Sequence, residues 1–123
     1  MVDFDAPDLV QQVEKLAPEE IDELPFGSIR LDQDLRVTFY SLAEGRLSGY
    51  GDRPAIGRIF FSEIAPCMSN EQFLGRIDQA RARGTLDMEF GWIGDFSDPN
   101  REIRVRVKSA GQDGIWIFLQ RPA

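Results

Sequence analysis

The chain has a single cysteine, Cys67, which follows Ala65 and Pro66 in a short, mainly apolar stretch. A lone thiol cannot form an internal disulfide or a cysteine-rich metal site. Where its surroundings favour the thiolate, it can act as a nucleophile or as the anchor of a covalently bound group. It can equally be an inert core residue, because free cysteines are among the most buried residue types. Cys67 by itself leaves these three roles open.

Tyr40, Glu44 and Ser48 form a second candidate set, in which each member lies four positions after the one before it. If residues 41–48 are helical, the three side chains share one face. In an apolar pocket the pKa of Glu44 would rise, and the neutral carboxyl would become a hydrogen-bond donor. Beside the tyrosine hydroxyl, it would form a cradle for a buried anionic oxygen. The alternative is a solvated helix residue at 44 and a strand-edge aromatic residue at 40.

The composition argues against several classes of function. None of the 123 residues is a histidine, which excludes Ser-His-Asp and Cys-His mechanisms, His-ligated zinc and a haem held by a proximal histidine. The chain also lacks a Gly-rich phosphate loop, so we expect neither an enzyme nor a metal site. A net charge of −7 disfavours nucleic acid and anionic membranes as partners. With one cysteine and no basic secretory leader, we expect a cytoplasmic protein.

The order of the predicted elements favours an α+β fold. Residues 1–24 carry apolar side chains at helical spacing and predict an N-terminal helical cap. Alternating residues at 26–31 and 35–40 predict a β-hairpin. A capping-box pattern at 69–72 predicts the start of a longer helix that Gly84 ends.

Three further strands are predicted at 86–93, 102–108 and 115–119. The sum is a five-stranded antiparallel sheet whose short helices would enclose a small pocket. We therefore expect a single domain, with a cap at 1–24 and a core at 25–123.

Several short motifs follow one another in a fixed order along the chain. They are Leu24-Pro25-Phe26-Gly27, Tyr40 with Ala43-Glu44-Gly45, Ser48-Gly49, Ile56-Gly57 before Phe60-Phe61, Ala65-Pro66-Cys67 and Trp116-Ile117-Phe118. In this order and spacing, from residue 24 to residue 120, the chain resembles the photoactive yellow proteins, a branch of the PAS domains. Ordered spacing of this kind is far more specific than any one motif.

The resemblance implies a PAS-like sheet and a blue-light receptor whose para-coumaric acid chromophore is joined to Cys67 through a thioester. It implies that Tyr40 and Glu44 hydrogen-bond the chromophore phenolate, while the Ser48 hydroxyl orients Tyr40. The other residues that it implies at the chromophore are Tyr50, Phe60, Pro66 and Phe96. Tyr50 stands where the family often has an arginine that shields the pocket from solvent. Since tyrosine brings no cation, we expect a gate of a different kind.

The expected signal begins with isomerisation of the chromophore, after which Glu44 gives its proton to the phenolate. The carboxylate that remains would be buried in apolar surroundings without a partner, at a cost that opening of the cap relieves. We expect the protein to be a monomer, with a weak dimer as the alternative. We expect its partner to be a downstream signalling protein.

Three alternatives remain. One is a PAS sensor or interaction domain with another ligand or none, since PAS folds host many ligands. The others are a flavin-adduct photosensor, whose motif is not that around Cys67, and an enzyme with Cys67 as nucleophile, which lacks a histidine base. A yellow colour that depends on Cys67 would favour the photoreceptor.

Overall fold

The computed structural model of the protein describes residues 2–84, 86–111 and 113–122. Within this part of the chain, four α-helices and five strands alternate with a π-helical turn and a 3-10 turn. The helices are α1 (Leu9–Glu14), α2 (Pro18–Asp22), α3 (Leu42–Ser48) and α4 (Leu74–Ala82), and the π-helical and 3-10 turns are Phe60–Ile64 and Pro66–Met68. The strands are β1 (Gly27–Leu31), β2 (Val37–Tyr40), β3 (Asp87–Ile93), β4 (Glu102–Ser109) and β5 (Ile115–Gln120). No helix in the described ranges is both long enough and apolar enough to cross a membrane.

The strands form one antiparallel sheet in the order β2-β1-β5-β4-β3. The β1–β2 hairpin places Ile29 opposite Tyr40. The last strand, β5, inserts between β1 and β4, so that Gly27 of β1 faces Leu119. The predicted five-stranded antiparallel sheet is therefore confirmed.

Apolar side chains cover both faces of the sheet. On one face, a core cluster joins Val105, Val107 and Ile117 to side chains from the π-helical turn and α4. On the other face, residues of the N-terminal segment pack against Phe26, Trp116 and Phe118. Because β5 is buried on both faces, its sequence is a continuous apolar run rather than an alternating one.

Two predicted boundaries are wrong. Strand β2 begins at Val37 instead of residue 35, because Leu35 has φ 66° and its carbonyl accepts a hydrogen bond from Phe60 N at 3.0 Å. Helix α4 begins at Leu74 instead of within 69–72. The Asn70 side chain instead closes a turn there. Its Oδ1 accepts hydrogen bonds from the backbone N–H groups of Gln72 and Phe73, at 3.1 Å each. Gly84, with φ 78°, follows the end of α4 as predicted.

Two arginines of β4 tether the N-terminal segment to the sheet. Arg106 is 8% exposed and donates to the carbonyls of Phe4 and Ala6 at 2.7 and 2.8 Å. Arg104 lies two residues earlier on the same face, but its side chain is 46% exposed and binds Asp5. The difference between the two tethers thus lies in burial and in the acceptor, which is a backbone carbonyl for Arg106 and an exposed carboxylate for Arg104.

This difference predicts unequal effects of the same substitution. Arg106→Met should lower the free energy of unfolding by about 1–3 kcal/mol, because it leaves buried carbonyl groups without a donor. Arg104→Met should cost about 0–1 kcal/mol, the usual range for an exposed ion pair. Urea unfolding measures both, and amide exchange in α1 should rise only in the Arg106 variant. An equal loss in the Arg104 variant would show that charge, rather than burial, holds the segment.

Candidate functional site

Helix α3 carries Glu44 and Ser48 into the interior. Its N-cap is Ser41, whose hydroxyl accepts from Glu44 N at 3.0 Å and from Ser28 N at 3.1 Å, which fixes the start of α3 against β1. The helix directly follows Tyr40 at the end of β2. The predicted helical character of residues 41–48 is confirmed. Since Glu44 is 3% exposed, the alternative of a solvated helix residue is wrong.

Two glycines make room for this arrangement. A side chain at Gly27 in β1 would overlap the Glu44 carboxyl, and one at Gly45 would overlap the backbone carbonyl of Gly51. The Gly51 N–H also donates to the Gly45 carbonyl at 2.8 Å. The glycines that follow Phe26 and Glu44 in the two sequence motifs therefore allow a close approach of backbone and carboxyl.

A cavity of about 60 Å³ lies beside α3. Its lining residues are Tyr40, Glu44, Ser48, Tyr50, Phe60, Ile64, Ala65, Cys67, Met68, Gly94, Asp95, Phe96 and Leu119. Seven of the eight predicted site residues are among them. The eighth, Pro66, is exposed and begins the 3-10 turn that carries Cys67. Cys67 itself is exposed, so its alternative role as an inert buried core residue is wrong.

The lining fits an anionic aromatic ligand by its chemistry. It offers a tyrosine hydroxyl, a buried carboxyl and a thiol among apolar side chains. Its volume of about 60 Å³ is well below the roughly 150 Å³ of a cavity that holds benzene. An aromatic ligand therefore requires the lining side chains to move apart.

Tyr40 is held as a neutral hydroxyl. Burial, and secondarily the charge of Glu44, raise its pKa well above the ordinary range of tyrosine, while the Ser48 hydroxyl and Arg121 lower it in part. Ser48 also accepts a hydrogen bond from the Tyr50 N–H at 3.1 Å. At neutral pH, Tyr40 is thus a hydrogen-bond donor within the cavity.

The expectation that Glu44 lies in apolar surroundings without a partner is wrong. Arg121, just beyond β5, donates to its two oxygens from Nη1 at 2.5 Å and from Nη2 at 2.9 Å. The same guanidinium binds Asp95 from Nε at 2.8 Å and from Nη2 at 2.9 Å. Burial raises the pKa of Glu44, and Arg121 limits that rise. The carboxyl is therefore buried but paired.

A second arginine extends the network. Arg101 donates to Asp95 at 3.0 Å and to the backbone carbonyl of Leu47 in α3 at 2.7 Å. Sequence reasoning missed Asp95, Arg101 and Arg121 as site residues. Asp95 lies in a stretch of turn-forming residues, 95–100, which gives no sign of an ion pair. Arg121 lies 77 residues from Glu44, a separation at which no local pattern marks a pair.

Tyr50 and Phe96 line one side of the cavity, and Arg53 lies over their rings. The Tyr50 ring centroid is 5.4 Å from that of Tyr40 and 5.3 Å from that of Phe96. Its hydroxyl donates to the Pro54 carbonyl at 2.7 Å. The Arg53 guanidinium lies 4.9 Å from the Phe96 centroid and 5.9 Å from that of Tyr50. A cation is thus present at the gate, although it comes from three residues after Tyr50.

Known proteins are similar to this chain both in sequence and in fold. The chain is 34% identical over 122 residues to photoactive yellow protein of Rhodothalassium salexigens and 30% identical over 122 residues to that of Halochromatium salexigens, covering 98% of each chain in both cases. The photoactive yellow protein domain of the sensor histidine kinase Ppr from Rhodospirillum centenum superposes with a TM-score of 0.82 at 35% identity, over 90% of this chain and 98% of that one.

More distant structures share the fold alone. The PAS domain of the Cronobacter turicensis quorum-sensing receptor RpfR superposes with a TM-score of 0.63 at 14% identity, over 82% of this chain and 97% of that one. No family model matches the sequence. The full-length identity to the curated relatives and the close superposition with the Ppr domain establish that the chain belongs to the photoactive yellow protein family.

Proposed function

We propose that the chain is a blue-light photoreceptor that carries para-coumaric acid on the sulfur of Cys67 as a thioester. The observation that supports this most is that the exposed thiol of Cys67 lines the same cavity as the half-buried Tyr40 and the buried Glu44. Membership of a photosensory rather than an enzymatic family points the same way.

The side chains around the cavity have distinct proposed roles. When bound, the chromophore supplies absorption of blue light, a double bond that isomerises from trans to cis, and a phenolate oxygen. Tyr40 donates its O–H to that oxygen, as its raised pKa allows. Glu44 donates as a neutral acid and gives up its proton after illumination, while Ser48 orients Tyr40. Phe60 and Phe96 exclude water from the ring.

We propose that this change of charge opens the N-terminal segment, residues 1–24, as a cap. A carboxylate that forms in a buried site carries a desolvation cost of several kcal/mol, which an ion pair offsets only in part. This cost is a large share of the roughly 5–15 kcal/mol that stabilises a domain. The cap packs on the sheet face opposite the cavity, through Phe26, Trp116 and Phe118. Its described residues, 2–24, contribute no strand to the sheet, so its release breaks no strand pairing. Its release would expose this surface to a downstream signalling protein. The Ppr domain, which belongs to a sensor histidine kinase, is a precedent for signalling through a kinase.

A second candidate function is a PAS sensor or interaction domain with another ligand or none. The volume of about 60 Å³ favours it, because the cavity must expand before an aromatic ring enters. Colour distinguishes the two functions.

The first test is covalent loading. Treatment with the anhydride of para-coumaric acid should add one coumaroyl group and turn the protein yellow, as the sulfur bonds the acyl carbon and a carboxylate leaves. Peptide mass spectrometry should place the group on Cys67. Cys67→Ser should stay colourless, whereas Ser69→Ala, at an exposed neighbour, should load normally. A loaded but colourless protein, or an adduct elsewhere, would contradict the proposal.

The second test concerns the proton of Glu44. Glutamine at this position retains a donor but has no transferable proton, so Glu44→Gln should reduce light-induced amide exchange in residues 1–24 severalfold. Glu63→Gln serves as the control, because this exposed residue lies outside the cavity lining. Undiminished opening in the Glu44 variant would show that the proton transfer does not drive the cap.

The third test concerns the gate. Arg53→Ala removes a cation–π contact worth about 0.5–1 kcal/mol, so hydroxylamine should cleave the thioester about two to five times faster. Arg76→Ala is a matched control, because Arg76 stacks on Phe90 at 5.0 Å, away from the cavity lining. Equal cleavage rates in the two variants would exclude a shielding role for Arg53.

A further inference from the structure

Arg121 is a buried cation that joins two carboxyl groups. Its side chain is 4% exposed, and those of Glu44 and Asp95 are 5% and 3% exposed. All four carboxyl oxygens accept a hydrogen bond from its guanidinium, over distances of 2.5–2.9 Å. Arginine suits this place because its planar fork presents five N–H donors.

The two carboxyl groups differ in their other partners. Asp95 has a second cation, Arg101, at 3.0 Å. Among the residues that the structure describes, Arg121 is the only cation that forms an ion pair with Glu44. Asp95 therefore holds Arg121 in place even when Glu44 is neutral, and Glu44 meets a guanidinium already in place when it ionises.

We propose that Arg121 is the positioning residue of the site: the cation that receives the Glu44 carboxylate and carries its change of charge to loop 94–101 and to the end of β5. This inference rests on the proposed role of Glu44 as proton donor. It changes the account of the signal, because the carboxylate is no longer left unpaired. The proton passes from a Glu44 oxygen to the phenolate oxygen, so that one O–H bond breaks and another forms. Arg121 then shares its donors between two anions instead of one.

Two sets of contacts connect Arg121, and with it the change of charge at Glu44, to the rest of the molecule. Through Asp95 it reaches Arg101, which donates to the Leu47 carbonyl of α3. Along the backbone it adjoins Gln120, whose side chain accepts from Arg104 at 3.2 Å. Arg104 in turn binds Asp5 of the N-terminal segment at 2.5 Å. Arg121 thus connects the cavity to the opposite face of the sheet.

The decisive experiment uses the chromophore-free protein. Carbon-13 NMR of labelled glutamate side chains, with Glu44→Gln to assign the signal, gives the pKa of Glu44. Arg121→Gln should raise that pKa by about one unit or more, since a neighbouring guanidinium stabilises the charged form by this much. In Arg121→Lys the Glu44 pKa should lie between the wild-type value and that of Arg121→Gln, because lysine keeps the positive charge but lacks the forked guanidinium. The titratable and charged groups that share the cavity of Glu44 or pair with it are Tyr40, Tyr50, Cys67, Asp95 and Arg121. All but the substituted one are unchanged in each variant.

Arg101→Gln is the matched control. It removes a cation from the same network, but one that touches Asp95 and not Glu44, so it should shift the Glu44 pKa by less than half as much. Equal shifts in the two variants, or no shift in Arg121→Gln, would overturn the proposal. If Arg121→Gln does not fold, the Lys variant decides: a raised pKa supports the proposal and an unchanged one overturns it.

The loaded protein provides a separate readout. Infrared difference spectra after a flash should show a severalfold smaller loss of the Glu44 carboxylic C=O band in Arg121→Gln than in the wild type. If no adduct forms on Cys67, the proposed function fails, while the titration still decides the role of Arg121. If light responses are intact and the titration is unaffected by Arg121→Gln, only the present inference fails.

Discussion

The burial of one carboxyl group, that of Glu44, is the constraint on which the site depends. An ionisable group that is 3% exposed needs partners, because desolvation without them is costly. The fold provides one from a distant part of the chain, the guanidinium of Arg121. It also leaves room for the carboxyl at Gly27, where any side chain would overlap it.

Strand β5 explains how a change at this carboxyl can reach the other side of the molecule. Its alternating side chains serve two clusters, with Trp116 and Phe118 packed under the N-terminal segment and Leu119 lining the cavity. Arg121 directly follows the strand. A displacement of Arg121 therefore acts on the central strand β5, whose side chains reach both faces of the sheet. No other element is needed to connect the cavity with the cap.

Much of this architecture could be read from the sequence, because local patterns determine it. Alternation predicted the β1–β2 hairpin and β4. The four-residue spacing of Glu44 and Ser48 predicted the face that they share on α3, whereas Tyr40 ends β2 and does not belong to the helix. The start of α4 could not be predicted, since a side-chain turn at Asn70 competes with a capping box of the same composition. The Glu44–Arg121 pair also escaped, because only the tertiary fold brings together residues so far apart in the chain.

The side of the cavity at Tyr50 shows that a functional group can be kept although the residue at one position differs. Tyr50 fills the place of the expected arginine, yet a guanidinium still lies over the rings at the cavity, delivered by Arg53 from the following turn. An aromatic surface and a cation thus lie beside the pocket although position 50 holds a tyrosine. Tyr50 is 6% exposed and held by the Pro54 carbonyl, whereas Phe96 is 53% exposed. Since an exposed side chain gives way at lower cost than a buried and bonded one, expansion of the cavity should begin at Phe96 and leave the Tyr40–Glu44 end in place.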